Sequence, residues 1–538
     1  MNENAPRAVV VGFGPVAARL VEELLPAVAA GTLNVTVLGA EPEPAYNRVL
    51  VADLGVGRTN LGAITLADPH QLRAAGVDVR LGTGVRRVDR ASRRVLLADG
   101  GSVGYRWLVF ATGSAAVVPN LTGLNPDPLA DAGWTGAPLP AGVTSLRDVR
   151  DAAVLRAAVE AQARVVVLGG GILGLETALA AAEEGAQVTV VHHGSHLMGR
   201  SLDRAGGSLL AATLRRRGVR VAGNARSTGV ELAGAGHSFS ALLLEGGSAI
   251  DGDLLVLSCG VRARTSLASG AGLATGRGIL VDHGLRAHHD PDVFAVGDCA
   301  EVRCLDTACL PCRGATGPSG LIGPGWRQAE FAAGALLAEA AAGASAGTGS
   351  AGAAVPARLA AEKESVILLK ARGVDLAAAG TVSADPWDEE LPEPHAVPAR
   401  KPLMVSQWSD PGHGRYVKMS TRAGVLEGFV CVGMPRTAAE LVLLFERGSE
   451  LPADRSSLLR LDGPEQLVDT GAASGPSGPE DTVCRCAGVT CGTITDAVES
   501  GCGTVPEVSA ATRAGTGCGG CHDTIRGLIE RHFAPAAA

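Results

Sequence analysis

Aromatic side chains are scarce in this 538-residue chain, at 3% of positions, whereas glycine occupies 73. A chain so short of large rings suits glycine-rich α/β domains filled with Ala and Val. No run of 18 or more uninterrupted apolar residues occurs, so no membrane span is expected. No basic stripe or lysine-rich tail is present and the net charge is −8, so nucleic acid is not an expected partner. No cysteine precedes Cys259. The 12 cysteines are clustered rather than scattered, which points to ligands in a reducing compartment rather than to disulfides. A strand is expected at 8–11, too early for a signal peptide, and the expected location is cytoplasmic.

The length allows three or four domains with ample core. Strand, glycine turn, helix and strand are expected at Ala8–Val11, Gly12–Ala17, Pro15–Pro26 and Val35–Leu38, with further strands near Val77–Leu81, Val85–Val88, Val95–Leu97 and from Trp107. A second unit repeats the pattern with strand Arg164–Leu168, helix Ile172–Glu184 and strand Val188–Val191. Val293–Cys299 reads as a return strand of the first unit, which makes the second an insertion in it. The expected bounds are 1–144 with 284–340 for the first unit and 145–283 for the second. An Ala/Gly/Ser linker over 341–358 leads to a small α+β domain at 359–462, with strands at Arg415–Ser420 and Val425–Val432 and a helix at Ala438–Arg447. A second tether at 463–482 precedes a cysteine-rich segment, 483–538.

Gly12-Phe-Gly14-Pro-Val-Ala17 and Gly169-Gly-Gly171-Ile-Leu-Gly174 each lie between a strand and a helix. Glycine there permits a tight bend, close approach of backbone to pyrophosphate and close helix–strand packing, with the helix N-terminus aimed at the phosphates. Glu41, past the second strand, is placed to accept from ribose hydroxyls. Glu176 sits in the first turn of the second helix. The acid expected after the next strand is missing, because Val191 is followed by His192-His193. That leaves NADH and NADPH both open, with a slight lean to NADH.

The tail carries Cys484-Arg-Cys486 and Cys518-Gly-Gly-Cys521. Four thiolates at C-x-C and C-x-x-C can hold zinc or a [2Fe–2S] cluster, and the surrounding glycines let N–H groups approach cluster sulfurs. Cys491 and Cys502 read as small buried residues. A second group is Cys299, Cys304, Cys309 and Cys312, of which Cys309-Leu-Pro-Cys312 has ligand spacing. Zinc, an extra cluster and a loop of reduced thiols are all open there.

Ala111-Thr112-Gly113 and Val296-Gly297-Asp298 resemble the paired signatures of the two-dinucleotide flavoproteins, the pyridine nucleotide–disulfide oxidoreductase superfamily. The resemblance implies FAD at the first turn and NAD(P)H at the second. It implies a fold of two Rossmann-like domains, a small α+β interface domain and a C-terminal helical [2Fe–2S] domain. It also implies that Asp298 bonds the ribityl chain and that Arg48 and Val85 contact FAD. A redox disulfide would need cysteine on the helix after the second strand, where the chain reads Ala45-Tyr-Asn-Arg-Val-Leu50. Disulfide reductase and cysteine peroxidase chemistry are therefore excluded, and electrons need another exit. The cysteine tail resembles the bacterioferritin-associated ferredoxin-like [2Fe–2S] domain.

Glu41–Val49, Gly185–Asp203, Gly325–Ala329 and Leu369–Asp375 further resemble the electron-transfer subunits of assimilatory nitrate reductase and the flavin half of NAD(P)H nitrite reductase. The implied path runs from NAD(P)H to FAD to the cluster, and on to a separate nitrate or nitrite reductase catalytic subunit. Neither the C-x5-C and C-x3-C sirohaem ligands nor a molybdenum domain is found in this sequence. The alternatives are a reductase of a ferredoxin or rubredoxin-type acceptor and a zinc-held docking domain on an NADH-sensing flavoprotein. A homodimer is left open.

Overall fold

The computed structural model describes residues 5–124, 139–234, 238–306, 309, 312, 317–344, 358–360, 366–369, 371–387, 401–462, 478–517 and 519–533. The two tethers lie largely outside these residues, as does Cys518.

The first sheet is built on Arg7–Val11, which pairs in parallel with Asn34–Leu38 and Trp107–Phe110. These strands are apolar nearly end to end because both faces are covered; Val9, Val35, Leu108 and Val109 are fully buried. Asp290–Ala295 returns beside Trp107–Phe110 in parallel. Helices Pro15–Ala29 and Ile322–Ala344 pack together on this unit.

The second sheet runs Arg220–Ala222, Gln187–Val191, Arg164–Leu168, Leu254–Leu257, Val143–Thr144, all parallel. Two strands lie on the other side of the expected bounds. Val143–Thr144, before residue 145, belongs to the second sheet, whereas Ile279–Val281, before 284, pairs with Ala300–Val302 in the first. Ile279 and Val281 are fully buried in the first core, and it is their pairing with Ala300–Val302 that places them there. An antiparallel ribbon, Ser114–Ala116 with Val261–Ala263, joins the units.

The third unit is an antiparallel sheet in the order Ile367–Leu368, Leu376–Gly380, Val425–Val432, Arg415–Arg422, Leu403–Asp410. Side chains alternate along it. Ala377, Val417, Met419, Phe429 and Cys431 face the helix Pro435–Arg447, while Leu376, Ala378, Tyr416, Val430 and Val432 face the second unit. Asp203 pins that contact. One carboxylate oxygen caps helix Arg204–Arg216 by accepting from Gly206 N at 3.0 Å, and the other accepts from Tyr416 Oη and, at 3.2 Å, from the buried Lys418 Nζ.

The tail forms a hairpin, Thr482–Cys484 with Val489–Thr490, and helices Cys491–Glu499, Val505–Thr512 and His522–Phe533. Thr490 caps the first helix, and Thr504 with Glu507 makes a reciprocal capping box on the second. Cys484 and Cys521 lie in its small core with Ile494, Val508 and Ile525. A core this small is one that a bound metal centre helps to hold.

Candidate functional site

Both glycine turns have the backbone their sequences demand. Gly12 has φ +107° and Gly169 φ +130°, and a Cβ at either would lie 2.2 Å from Ala111 O or 2.1 Å from Ser258 O. No side chain could be accommodated. Gly174 packs against Gly169 O, which a Cβ would approach to 2.8 Å, and Ala17 is buried at the equivalent place in the first turn. The middle glycines differ. Around Gly171 a Cβ would meet nothing within 4 Å, and around Gly14 only Arg48 Nε at 3.9 Å. The helices that follow have no side-chain cap at their N-termini. Each turn is thus an open cradle with uncapped N–H groups, suited to an anionic ligand.

One cavity of about 1110 Å³ runs along the first turn. Gly12, Gly14, Ala17, Glu41, Arg48, Val85, Thr112, Gly113, Gly297 and Asp298 all line it, and Leu173 of the second turn reaches the same space. Glu41 accepts from Tyr46 Oη at 2.8 Å and pairs with Arg48, whose Nη1 donates to Tyr46 Oη at 2.8 Å and to Arg147 O at 3.1 Å. Gly297, with φ +72°, donates its N–H to the buried Gln328 Oε1 at 2.8 Å. Asp298 accepts from Ser114 Oγ at 2.8 Å, and Arg147 Nη2 donates to the same hydroxyl at 2.8 Å.

Sequence reasoning missed Arg147, Ser114 and Gln328. Arg147 lines the cavity, its Nε is buried without a partner among the described residues, and burial lowers its pKa, opposed by Asp298. An unpartnered guanidinium nitrogen beside an uncapped helix start fits a phosphate-bearing cofactor. No local pattern announces it, because Arg147 sits on a loop far along the chain from the first turn, whose cavity it lines.

At the second turn Gly169, Gly171 and Gly174 come together as expected, with Glu176 half-buried in the helix behind them. His192 does not stand in for the missing acid. It is buried against Gly170 and Gly223, and desolvation lowers its pKa, with His193 and His196 adding to the effect. His193 is exposed.

The cysteine tail brings Cys484 and Cys486 to the loop before helix His522–Phe533. Gly515 N donates to Cys484 Sγ at 3.5 Å, and a Cβ on Gly517 would lie 2.6 Å from Cys486 Cβ. Cys521 is buried in the same core. Glycine suits 517 because a Cβ there would overlap the Cys486 side chain, while the Trp326 ring would lie 3.5 Å from it. Cys491 is buried and Cys502 partly buried in the domain core.

This loop sits on the first unit. Asn47, 1% exposed, donates from Nδ2 to Thr516 O at 2.8 Å and to Gly517 O. Trp326, which touches Gly517, donates from Nε1 to Pro15 O at 3.2 Å. Arg513 pairs with Glu22 at 2.9 Å. Cys299, grouped by sequence with Cys304–Cys312, is separate from them. It is fully buried and donates to Phe110 O and Val296 O at 3.3 Å. Cys259, the first cysteine of the chain, donates to Leu168 O at 3.4 Å, and burial pushes its thiol up to about 11, so it is a poor nucleophile.

Residues 6–321 match the family described as pyridine nucleotide-disulphide oxidoreductase, and residues 482–531 match the BFD-like [2Fe-2S] binding domain. The chain is 28% identical over 523 residues to the nitrite reductase (NAD(P)H) of Bacillus subtilis (strain 168), covering 97% of this chain and 57% of that protein. It is 26% identical over 525 residues to the assimilatory nitrate reductase electron transfer subunit of the same organism, covering 97% and 59%. This chain therefore spans little more than half the length of these curated relatives. A covalent putidaredoxin reductase–putidaredoxin complex superposes with a TM-score of 0.64 at 20% identity, over 85% of this chain and 98% of that one, a likeness of fold. No helix among the described residues is long and apolar enough to cross a membrane. The family and the tail domain imply FAD, NAD(P)H and a [2Fe–2S] cluster, and the two open cradles, the unpartnered Arg147 nitrogen and the clustered thiols fit those groups. With the glycine turns, the paired sheets and the match over residues 6–321 in agreement, the chain belongs to the pyridine nucleotide-disulphide oxidoreductase family.

Proposed function

We propose that this chain oxidises NAD(P)H and delivers the electrons to a separate nitrate or nitrite reductase catalytic subunit, working in the reducing cytoplasm. The observation that carries this reading is the seat of the cysteine loop on Asn47 and Trp326, beside the cavity that Arg48 and Pro15 line. FAD is assigned to the cavity, on Gly12, Gly14, Ala17, Glu41, Arg48, Val85, Thr112, Gly113, Gly297 and Asp298. The nicotinamide nucleotide is assigned to Gly169, Gly171, Gly174 and Glu176, and the cluster to Cys484, Cys486, Cys518 and Cys521.

When bound, the nicotinamide supplies hydride, the flavin takes a pair of electrons and parts with them singly, and the cluster carries one at a time. The chain's own residues bind and orient. The uncapped helix starts at Pro15 and Ile172 and the half-buried Arg147 offer donors to pyrophosphate. Glu41 accepts from ribose hydroxyls once Arg48 and Tyr46 yield. Asp298, held by Ser114, accepts from the ribityl chain. No side-chain acid or base is required.

The test is an anaerobic spectral titration with NADH alongside iron and zinc analysis. Flavin bleaching with a reducible iron–sulfur signal at about two irons per chain supports the reading. Flavin bleaching with zinc and no iron in the tail overturns it in favour of a docking domain. Adding a molybdenum nitrate reductase catalytic subunit then tests the acceptor, since NADH-driven nitrate reduction must require the cysteine tail.

A further inference from the structure

Four side chains outside that path converge at the edge of the first sheet. His283 follows the strand Ile279–Val281. Cys304, Cys309 and Cys312 follow its parallel neighbour Ala300–Val302. Their ligand atoms all lie within 4.8 Å of one another. His283 Nε2 is 3.3 Å from Cys309 Sγ and 3.4 Å from Cys312 Sγ, and Cys312 Sγ is 3.6 Å from Cys304 Sγ. We propose that His283, Cys304, Cys309 and Cys312 bind one zinc ion.

The distances select a single ion. Bonds of about 2.3 Å to sulfur and about 2.0–2.1 Å to nitrogen, set tetrahedrally, put ligand atoms about 3.8 Å apart for two sulfurs and about 3.5 Å apart for sulfur and nitrogen. Three of the six edges, at 3.3, 3.4 and 3.6 Å, lie within about 0.2 Å of those values, and all six are within 4.8 Å. A two- or four-iron cluster interposes sulfide-bridged metals between its thiolates and needs them further apart. The donor set favours zinc over magnesium or calcium, which take oxygen. The surroundings suit thiolates as well. Cys304 N donates to Cys312 Sγ at 3.3 Å, and Cys309 N donates to Asp306 O and Cys312 N to Cys309 O, both at 3.2 Å. Without a metal, three thiols and an imidazole at these separations would make only weak contacts.

Four protein ligands leave no open position, so the role is structural. The ion would tie the sheet edge to the segment that enters helix Ile322–Ala344. Gly320, Leu321 and Ile322 line the cavity. One turn on, a Cβ at Gly323 would lie 3.3 Å from Cys486 O, and one at Gly325 would lie 2.7 Å from Val16 Cγ2. The clip therefore anchors the segment that touches both the flavin cavity and the cluster loop.

The test uses the full chain purified from zinc-supplemented medium. About one zinc per chain is expected, falling at least tenfold in Cys309→Ser/Cys312→Ser with flavin content kept, and unchanged in Cys484→Ser/Cys486→Ser. Zinc K-edge absorption of the unaltered protein, which needs no variant to fold, should show three sulfurs and one nitrogen. Absence of zinc, loss of zinc with Cys484 and Cys486 instead, iron at this site, or a disulfide among the three cysteines would each overturn the assignment. Because its readout is zinc, the result stands apart from whether the tail carries a [2Fe–2S] cluster.

Discussion

Replacing Asn47 with alanine should uncouple the cluster from the flavin without touching hydride delivery. The side chain is 1% exposed and donates to two carbonyls of the cysteine loop, Thr516 O and Gly517 O. Its third bond, Val49 N to Oδ1 at 3.0 Å, stays within the flavin-side unit and is lost equally in docked and undocked forms. Two net hydrogen bonds at about 1 kcal/mol each, with a further penalty where a carbonyl is left buried and unmet, weaken docking by about 2 to 3 kcal/mol. That is roughly a 30- to 150-fold fall in the docking constant. Arg513→Ala is the contrast. Its pair with Glu22 is partly exposed, at 31% and 50%, and removing it should cost under about 1 kcal/mol, or roughly fivefold. Anaerobic stopped-flow separates the steps. Flavin reduction by NADH should keep its rate in both variants, while cluster reduction slows by up to the docking factor in Asn47→Ala and barely in Arg513→Ala. Cluster reduction at the unaltered rate in Asn47→Ala would refute the reasoning. So would an equal loss in both steps, since Asn47 would then be acting through its neighbour Arg48.

Three further outcomes are expected. Gly12→Ala should abolish flavin retention and Gly169→Ala should raise the Kd for NADH at least 100-fold with flavin kept, because each Cβ would sit about 2 Å from a carbonyl oxygen at positive φ; absorbance and titration read both. Asp203→Asn keeps a helix cap but leaves Lys418 buried without its counter-charge, and should cost about 3 kcal/mol by denaturant unfolding, with part recovered in Asp203→Asn/Lys418→Met. His192 has a lowered pKa in the folded protein, so the unfolded chain binds the proton more readily. Stability is intact above about pH 6.5 and is lost as pH falls below it toward the folded value. Unfolding midpoints at pH 7.5 and 5.5 should therefore diverge more in the parent than in His192→Gln, and equal divergence would exclude His192.

Features that depend on neighbours in the chain were legible from sequence. Arg164–Leu168 and Val425–Val432 occupy the expected residues, because each apolar run is bounded by glycine or charge. Both glycine turns announce themselves because the backbone there admits nothing else. Arg147, Asn47 and His283 were not legible. Arg147 acts on Ser114, 33 positions away, Asn47 on Thr516 and Gly517, 469 and 470 away, and His283 on Cys309 and Cys312, 26 and 29 away, and nothing local distinguishes them from any other loop residue. The same limit hid Ile279–Val281, a three-residue strand whose sheet is decided by tertiary pairing. Cys299 was legible in part, since its place directly after Asp298 points it into the core, where it lies fully buried.

The seam between the tail and the rest of the chain has a chemical character unlike the cores on either side. Besides Asn47 and Trp326, it includes among the described residues the ion pairs of Arg513 with Glu22 and Glu23, Arg485 with Glu446, and Arg447 with Asp481. Charged pairs across a wet boundary feel a Debye length of about 8–10 Å at ordinary ionic strength, whereas Ile494 or Val109, buried in their cores, do not. Salt would therefore loosen this boundary well before it disturbed either unit. The passage of electrons inside the molecule becomes a property of the surrounding solution as well as of the cofactors.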